Sequence, residues 1–269
     1  MEAARMRRKR RPSPPANDWT VGYAVGALVV SLAGAISLFV LLDHRELRLG
    51  VGAFALDAVM LATLVPLHRR RRFTTSALGL RPAAPARSVG LVVLAGIAVA
   101  VVNAAWLQGV LGLGRPVSQG ITLHESTPAA LFTGFVMAVS APVIEEIFFR
   151  GFLYRAFRNR WAVAPAAVIN GVIFGAIHGI TYPLDTLPPR MAFGVIACLL
   201  YEYTGSLYPG IALHCLIDAA AFEAAIAGQS GVVIIAFVAL GAAVLLYAAL
   251  RAGTTAKANG RQRPAVSTK

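Results

Sequence analysis

Apolar windows of about 20 residues recur along the sequence, and this repetition restricts the possible folds more than any other feature. We place predicted membrane spans at residues 19–42, 49–67, 88–113, 129–157, 162–181, 191–204, 206–227 and 231–250. Charged residues make up only 14% of the chain, whereas soluble domains carry about 25%. The sequence therefore predicts an all-α fold, a polytopic transmembrane bundle of about eight helices, and excludes a soluble globular protein.

Lysine and arginine are unevenly distributed around these spans. They concentrate in the N-terminal segment, after the second span, at the end of the fourth span and in the C-terminal tail. With eight spans these four regions share one side, so the positive-inside rule predicts that both termini are cytoplasmic. A net charge of +13 also suits nucleic-acid binding, but charges beside membrane spans are better explained by topology and anionic lipid. We therefore expect contact with membrane lipid and no nucleic-acid partner.

Ionisable side chains inside the predicted spans are the first functional candidates, because each costs a few kcal/mol or more in hydrocarbon. Most of them fall in the fourth, fifth and seventh spans. The set comprises Asp57, Glu145, Glu146, Arg150, His178, Glu202, His214, Asp218 and Glu223.

The fourth span carries two adjacent glutamates. Glu146 and Arg150 are four residues apart, so they share a helix face and can pair. Glu145 is turned about one hundred degrees away and would remain without a counter-charge. A buried carboxylate of this kind is suited to take a proton from water. The alternative is that both glutamates bind Arg150, Arg155 or lipid headgroups.

The fifth span ends near His178, and Phe174 lies one turn before it, where its ring can pack on the imidazole. Gly171, Gly175 and Gly179 form a small-x-x-x-small pattern, which lets another helix approach closely. A histidine standing alone in such a span more often joins helices by hydrogen bonds than catalyses a reaction.

In the seventh span, His214 and Asp218 share a face at i,i+4 spacing. Asp218 can orient the imidazole, or both side chains can ligate a metal or a reacting oxygen. The alternative is a buried pair that only joins helices.

Taken in order, these motifs are E-E-x-x-x-R at 145–150, F-x-x-x-H at 174–178 and H-x-x-x-D at 214–218. This set resembles the CAAX protease and bacteriocin-processing family (CPBP, also called Abi), the intramembrane endopeptidases that include the Rce1-type prenyl-protein proteases. The segment 204–214 also looks like the run that leads into the family's last motif. The resemblance covers about 128–222, roughly a third of the chain.

The resemblance implies a catalytic core, which we place at 128–227, and a role for each motif residue. Glu145 resembles the family's general base, His178 its partner in activating water, and His214 with Asp218 the pair that stabilises the oxyanion. The supporting residues would be Glu146 and Arg150. Many family members have Asn at the position of Asp218, and an ionised Asp cannot donate a hydrogen bond to an oxyanion.

The resemblance leaves the cofactor open. Glu145, His178 and His214 would make a plausible site for zinc or another divalent metal, and metal-free activation of water by Glu and His is equally plausible. The substrate would be a peptide or membrane-protein segment, and the sequence does not give the oligomeric state.

The remaining segments are predicted to be a basic disordered tail at 1–18, N-terminal transmembrane helices at 19–127, a last transmembrane helix at 228–252 and a basic disordered tail at 253–269. On straight helices, Glu145 and His178 would lie at different depths. Bringing them together requires a kink at Pro142, a tilted or longer fifth helix, or shifted boundaries.

Two other function classes stay open. One is a non-enzymatic membrane protein of the same fold, such as a bacteriocin self-immunity factor or a scaffold. The other is an ion-coupled transporter, which inverted repeats would favour, although the sequence shows none. The composition and compact loops suggest a bacterial plasma-membrane protein.

Overall fold

The regular secondary structure of the described residues is entirely helical. The computed structural model describes residues 19–41, 48–70, 74–110, 112 and 127–225. Within these ranges every regular element is a helix and no strand occurs, which confirms the predicted all-α class. The predicted tails at 1–18 and 253–269 and the predicted last helix at 228–252 lie outside the described residues.

Eight helices can be followed in these ranges, numbered here in chain order. They are α1 (Val21–Leu41), α2 (Arg48–Arg69), α3 (Thr75–Leu78), α4 (Pro85–Ala104, continued by π-helical Ala105–Val110), α5 (127–158), α6 (Val163–Ile177), α7 (Leu187–Thr204) and α8 (Tyr208–Ala225). Seven coincide with predicted spans within a few residues, and the short α3 was not predicted. Single turns of 3₁₀ helix, His178–Ile180 and Leu184–Thr186, lie between α6 and α7.

Among the described residues, four stretches are long and apolar enough to cross a membrane: Gly50–Arg69, Ala86–Val110, Leu131–Arg158 and Val163–Ile180. Shorter apolar stretches, Val21–Ser37 and Tyr208–Phe222, lie in α1 and α8. The chain is therefore a multi-pass membrane protein. The cytoplasmic placement of both termini stays a prediction.

The helix α5 alternates between α and π geometry along its length. It runs through Thr127–Phe135 (α), Val136–Ser140 (π), Ala141–Glu145 (α), Glu146–Tyr154 (π) and Arg155–Arg158 (α). Pro142 has no N–H to donate to the preceding turn, and it follows the first π segment. The second π segment places every residue from Phe148 to Tyr154 in the interior. Such π segments inside α-helices occur frequently at functional sites.

Glu145 and His178 line the same cavity, although straight helices would place them at different depths. The helix α5 ends at Arg158 and α6 begins at Val163, each within one residue of the predicted boundary, so a short connection joins the two helices.

Close packing of α6 on α7 depends on glycines, as the small-x-x-x-small pattern predicted. A Cβ atom on Gly171 would lie 2.7 Å from the carbonyl oxygen of Met191, and one on Gly175 would lie 2.6 Å from the Met191 nitrogen. A Cβ atom on Gly194 would lie 2.7 Å from the Cα of Gly171. No side chain fits between these backbones, which fixes the first half of α7 against α6.

The start of α8 is tied to the segment between α3 and α4. The Leu207 N–H donates to the Gly79 carbonyl at 2.9 Å, and Arg81 Nε donates to the Gly205 carbonyl at 2.6 Å. Both glycines have positive φ, +99° at Gly79 and +65° at Gly205, a conformation that glycine adopts without strain. These contacts hold the beginning of the helix that carries His214.

Trp19 is packed inside the protein. Although it lies at the start of the first predicted span, where tryptophans are often interfacial, its side chain is only 2% exposed. Its indole N–H donates to the Phe152 carbonyl at 3.0 Å, and the Arg155 guanidinium lies 5.6 Å from its ring. These contacts join the beginning of α1 to the buried part of α5.

Candidate active site

Glu146 and Arg150 form a completely buried ion pair on α5. Glu146 Oε1 is 3.0 Å from Arg150 Nη1, and both side chains are 0% exposed, as the i,i+4 spacing predicted. The guanidinium carbon also lies 4.2 Å from the centre of the Phe174 ring and 5.4 Å from that of Phe193. Cation–π attraction to these rings adds to the ion pair in stabilising the buried charge.

The same Glu146 oxygen holds His214 of α8. Glu146 Oε1 accepts from His214 Nδ1 at 3.1 Å. The contact requires glycine at position 210, because a Cβ atom there would lie 2.9 Å from Glu146 Oε2. Glu146 therefore connects the buried Arg150 guanidinium to the imidazole and fixes the orientation of the ring. The spacing in the sequence suggested Asp218 for this orienting role.

The opposite ring nitrogen of His214 faces two further carboxylates. His214 Nε2 is 3.8 Å from Glu145 Oε2 and 3.5 Å from Asp218 Oδ2. The imidazole is 3% exposed. The structure thus brings Glu145, His214 and Asp218 together around one nitrogen atom.

His178 lies at the end of α6 with a defined orientation. Its Nδ1 is 2.8 Å from the Phe174 carbonyl oxygen. A carbonyl oxygen only accepts hydrogen bonds, so Nδ1 carries the proton and Nε2 of the neutral ring keeps its lone pair. The Phe174 ring packs on His178 at 4.9 Å between centroids and on His214 at 5.7 Å, so one aromatic ring contacts both imidazoles.

Two cavities meet at these side chains. The larger, about 160 Å³, is lined by α4, α6, α7 and α8 and includes His178, His214 and Asp218. The smaller, about 140 Å³, is lined by Glu145, His178 and Asp218 and by apolar or small residues of α1 and α2, namely Leu32, Ala35, Ile36, Gly52, Ala53 and Leu56. Both cavities share Met137, His178, Tyr182 and Asp218, so the polar cluster lies at their junction.

The other ionisable candidates that the structure describes form hydrogen bonds or ion pairs with side chains outside the cluster of Glu145, His214 and Asp218. Asp57 is 2% exposed and accepts from the Ser140 hydroxyl at 2.9 Å. Glu202 accepts from the Tyr154 hydroxyl at 3.0 Å and pairs with Arg158 at 3.2 Å. The side chain of Glu223 lies outside the described residues. Asp57 and Glu202 therefore stabilise helix packing.

Sequence reasoning missed two polar residues that line the cavities, Tyr182 and Arg190. Arg190 fell in the predicted loop at 182–190, whereas α7 begins at Leu187 and includes it. Tyr182 lies between α6 and α7, where burial raises the pKa of its hydroxyl to about 12, so the hydroxyl stays protonated at neutral pH. An earlier start for the sixth span would have revealed Arg190 as an ionisable helix residue.

The proposed metal ligands do not form a three-ligand site. Zinc requires ligand atoms about 2.0–2.3 Å from the ion, so three ligands must converge on one point. Glu145 and His214 approach each other at 3.8 Å, but no group of three His, Cys, Asp or Glu side chains in the described ranges is arranged to hold a metal ion.

Residues 127–220 match the family model of the type II CAAX prenyl endopeptidases described as Rce1-like. The match runs from the start of α5 into α8 and contains all six motif residues: Glu145, Glu146, Arg150, His178, His214 and Asp218. The resemblance drawn from the three motifs is thus confirmed for this part of the chain.

Two curated relatives are bacterial. An Escherichia coli protein named "Uncharacterized 24.3 kDa protein" is 30% identical over 132 residues, which are 48% of this chain and 61% of the relative. The Bacillus subtilis (strain 168) protein "Putative membrane peptidase YdiL" is 27% identical over 109 residues, 40% of this chain and 43% of the relative. The chain thus spans less than two thirds of each relative's length. No solved structure gives a significant match.

Proposed function

We propose that this protein is an intramembrane endopeptidase that hydrolyses a peptide bond of a membrane-associated protein or peptide. The observation that carries the proposal is that Glu145, His178 and His214 line two adjoining cavities, with His178 lining both and Glu145 Oε2 lying 3.8 Å from His214 Nε2. The Rce1-like match over the same helices supports the reaction class.

Glu145 and His178 activate the attacking water in this proposal. Both line the smaller cavity, and the bond from His178 Nδ1 to the Phe174 carbonyl leaves Nε2 as the acceptor. A water molecule between them donates one hydrogen bond to Nε2 and gives its other proton to the Glu145 carboxylate as its oxygen attacks the carbonyl carbon.

His214 stabilises the oxyanion that this attack produces. Carboxylate oxygens face both of its ring nitrogens, Glu146 at Nδ1 and Glu145 with Asp218 at Nε2. Acceptors on both sides suit a doubly protonated ring, whose Nε2–H can donate to the developing negative charge. The Glu146 bond keeps the ring fixed, so little reorganisation is needed during the reaction.

Collapse of the tetrahedral intermediate completes the hydrolysis. The C–N bond breaks, and the proton held by Glu145 passes to the leaving nitrogen, which departs as an amine. The other product is a carboxylic acid, and Glu145 returns to its ionised form. Water supplies all the atoms that are added.

The bacterial relatives and the basic loops support a plasma-membrane location in a bacterium. A self-immunity factor or scaffold of the same fold would have no use for a tautomerically fixed His178 at a cavity junction. An ion-coupled transporter would need its polar groups in a continuous pathway between the two membrane faces, whereas Glu145, His214 and Asp218 gather around one nitrogen atom.

Cleavage of an unbiased peptide library tests the proposal. The purified full chain in proteoliposomes is incubated with peptides from a bacterial membrane proteome plus a farnesylated CAAX peptide, and new termini are identified by mass spectrometry. Glu145→Gln and His178→Ala serve as test variants, and Glu202→Gln, which alters a carboxylate outside the cluster, serves as the matched control. Thermal unfolding of each variant checks that it is folded.

We expect new termini with the parent protein and with Glu202→Gln, and none with folded Glu145→Gln or His178→Ala. Cleavage that survives both test variants would contradict the assigned site. A complete lack of new termini in the parent sample would favour the non-enzymatic protein of the same fold.

A further inference from the structure

The larger cavity contains a cation that the proposed hydrolysis does not use. Arg190, in the first turn of α7, lines this cavity with His178, His214 and Asp218. Among the described residues that line either cavity it is the single Lys or Arg. A guanidinium beside the reacting groups, in a site of low dielectric, attracts a substrate anion more strongly than it would in water.

Its neighbours hold the guanidinium in place. Arg190 Nη1 donates to the Thr186 carbonyl at 2.8 Å, and the guanidinium carbon lies 4.0 Å from the centre of the Tyr182 ring. Thr186 is itself only 6% exposed. A planar donor group fixed by a hydrogen bond and a stacked ring loses little further conformational entropy when it binds a ligand.

The position of Arg190 also favours an anion nearby. The N-terminal turn of a helix carries partial positive charge, so a cation there is disfavoured unless negative charge lies close to it. Asp218 supplies a carboxylate to the same cavity, but its Oδ2 faces His214 Nε2 at 3.5 Å. A carboxylate of the substrate would add further negative charge beside the guanidinium and the helix end.

The two cavities differ in the charge of the side chains that line them. No Lys or Arg among the described residues lines the smaller cavity, whose walls from α1 and α2 are apolar or small side chains such as Leu32, Ile36 and Leu56. A peptide lying across the junction would therefore meet an apolar wall on one side of the scissile bond and a cation on the other.

We propose that the larger cavity is a carboxylate-binding subsite, in which Arg190 holds a carboxylate of the substrate on one side of the scissile bond. This inference rests on the proposed peptidase function. The carboxylate has two possible sources, the C-terminus of the peptide or an Asp or Glu side chain close to the cleavage point. Both present the planar pair of oxygens that a guanidinium recognises.

Three versions of one cleaved library peptide separate these sources. The first ends in a free carboxylate, the second in a C-terminal amide, and the third is the amide with a Glu introduced on the C-terminal side of the scissile bond. For each peptide, kcat/KM is measured with the parent protein, Arg190→Gln and Arg190→Lys. Dissociation constants of fluorescein-labelled peptides are measured with full-length Glu145→Gln, with and without Arg190→Gln.

We expect the parent protein to favour one carboxylate-bearing peptide over the plain amide by about ten- to hundredfold, in both kcat/KM and affinity. Arg190→Gln should reduce that preference to less than about threefold, and Arg190→Lys should keep part of it. The matched control Arg160→Gln, which removes an exposed charge outside both cavities, should preserve the preference.

The preference is a ratio measured within one variant, so it does not depend on the fraction of protein that is folded. Equal cleavage of all three peptides by an active parent protein, or an unchanged preference in Arg190→Gln, would overturn the subsite while leaving the peptidase intact. An inactive parent protein would overturn the proposed function and the subsite together. A preference for the free-acid peptide would identify the C-terminus as the source, and one for the Glu-containing amide would identify a side chain.

Discussion

Glu146 and His214 are joined by a buried contact of 3.1 Å although 68 residues separate them in the chain. The same oxygen of Glu146 pairs with Arg150 at 3.0 Å. One carboxylate oxygen therefore serves a cation on its own helix and an imidazole on another, which gives Glu146 a role distinct from that of its neighbour Glu145.

Replacing each glutamate by glutamine separates these roles. Glu146→Gln leaves Arg150 buried without its counter-charge, and loss of one partner of a buried ion pair costs about 3–5 kcal/mol. Glu145→Gln leaves that pair intact and should change stability by less than about 1 kcal/mol. Thermal unfolding should show a large loss of stability in Glu146→Gln and little change in Glu145→Gln. Cleavage should be lost in both variants. Equal destabilisation by both substitutions would argue against separate roles for Glu145 and Glu146.

Gly210→Ala tests the space around the Glu146 carboxylate. The added Cβ would lie 2.9 Å from Glu146 Oε2, so the carboxylate must shift and the His214 ring with it. Displacements of this kind can lower catalytic rates about a hundredfold, while the better helix propensity of Ala returns about 1 kcal/mol of stability. We expect cleavage to fall at least about tenfold with a small change in melting temperature.

Gly26→Ala in α1 is the matched control for that substitution, because a Cβ there meets no atom within 4 Å. It should leave cleavage unchanged. Full activity of Gly210→Ala would show that the contact with Glu146 does not constrain the site.

Asp218→Asn probes the residue at which this chain differs from many members of the family that it resembles. The amide keeps the size of the side chain and can donate a hydrogen bond to an oxyanion, which an ionised carboxylate cannot. We therefore expect kcat to stay within about tenfold of the parent value, whereas Asp218→Leu should lower it much further. A collapse of kcat in Asp218→Asn would show that the negative charge beside His214 Nε2 is required.

Treatment with metal chelators tests whether catalysis depends on a bound ion. Because Glu145, His178 and His214 do not converge on one point in the described structure, we expect EDTA or phenanthroline to leave the cleavage rate unchanged. The rate is measured before and after dialysis against chelator, with metal content determined by mass spectrometry. Loss of activity that added zinc restores would show that the three side chains rearrange around a metal.

The sequence predicts those parts of the site that depend on helix periodicity. Residues four apart on a helix share a face, so the pairs Glu146–Arg150, Phe174–His178 and His214–Asp218 could be derived without a structure. The contacts observed within these pairs confirm that reasoning. Such pairs need only the helix itself, and the high hydrophobicity of the spans makes the helices easy to recognise.

Contacts between helices could not be derived in the same way. The Glu146–His214 contact depends on how α5 and α8 cross, and the π geometry of α5 depends on packing that no local pattern encodes. Arg190 was missed because a shift of four residues in the start of α7 moves it from loop to helix. The position of charges near span ends is therefore the least predictable part of the site.

The distribution of these residues along the chain has a consequence for how the protein can diversify. All six motif residues come from α5, α6 and α8, whereas α1 and α2 line the smaller cavity with apolar or small side chains. Under the proposed function, substitutions of these α1 and α2 side chains would change what the smaller cavity admits while the six motif residues stay in place. The shape of that cavity and the proposed reacting groups are thus encoded in separate stretches of sequence.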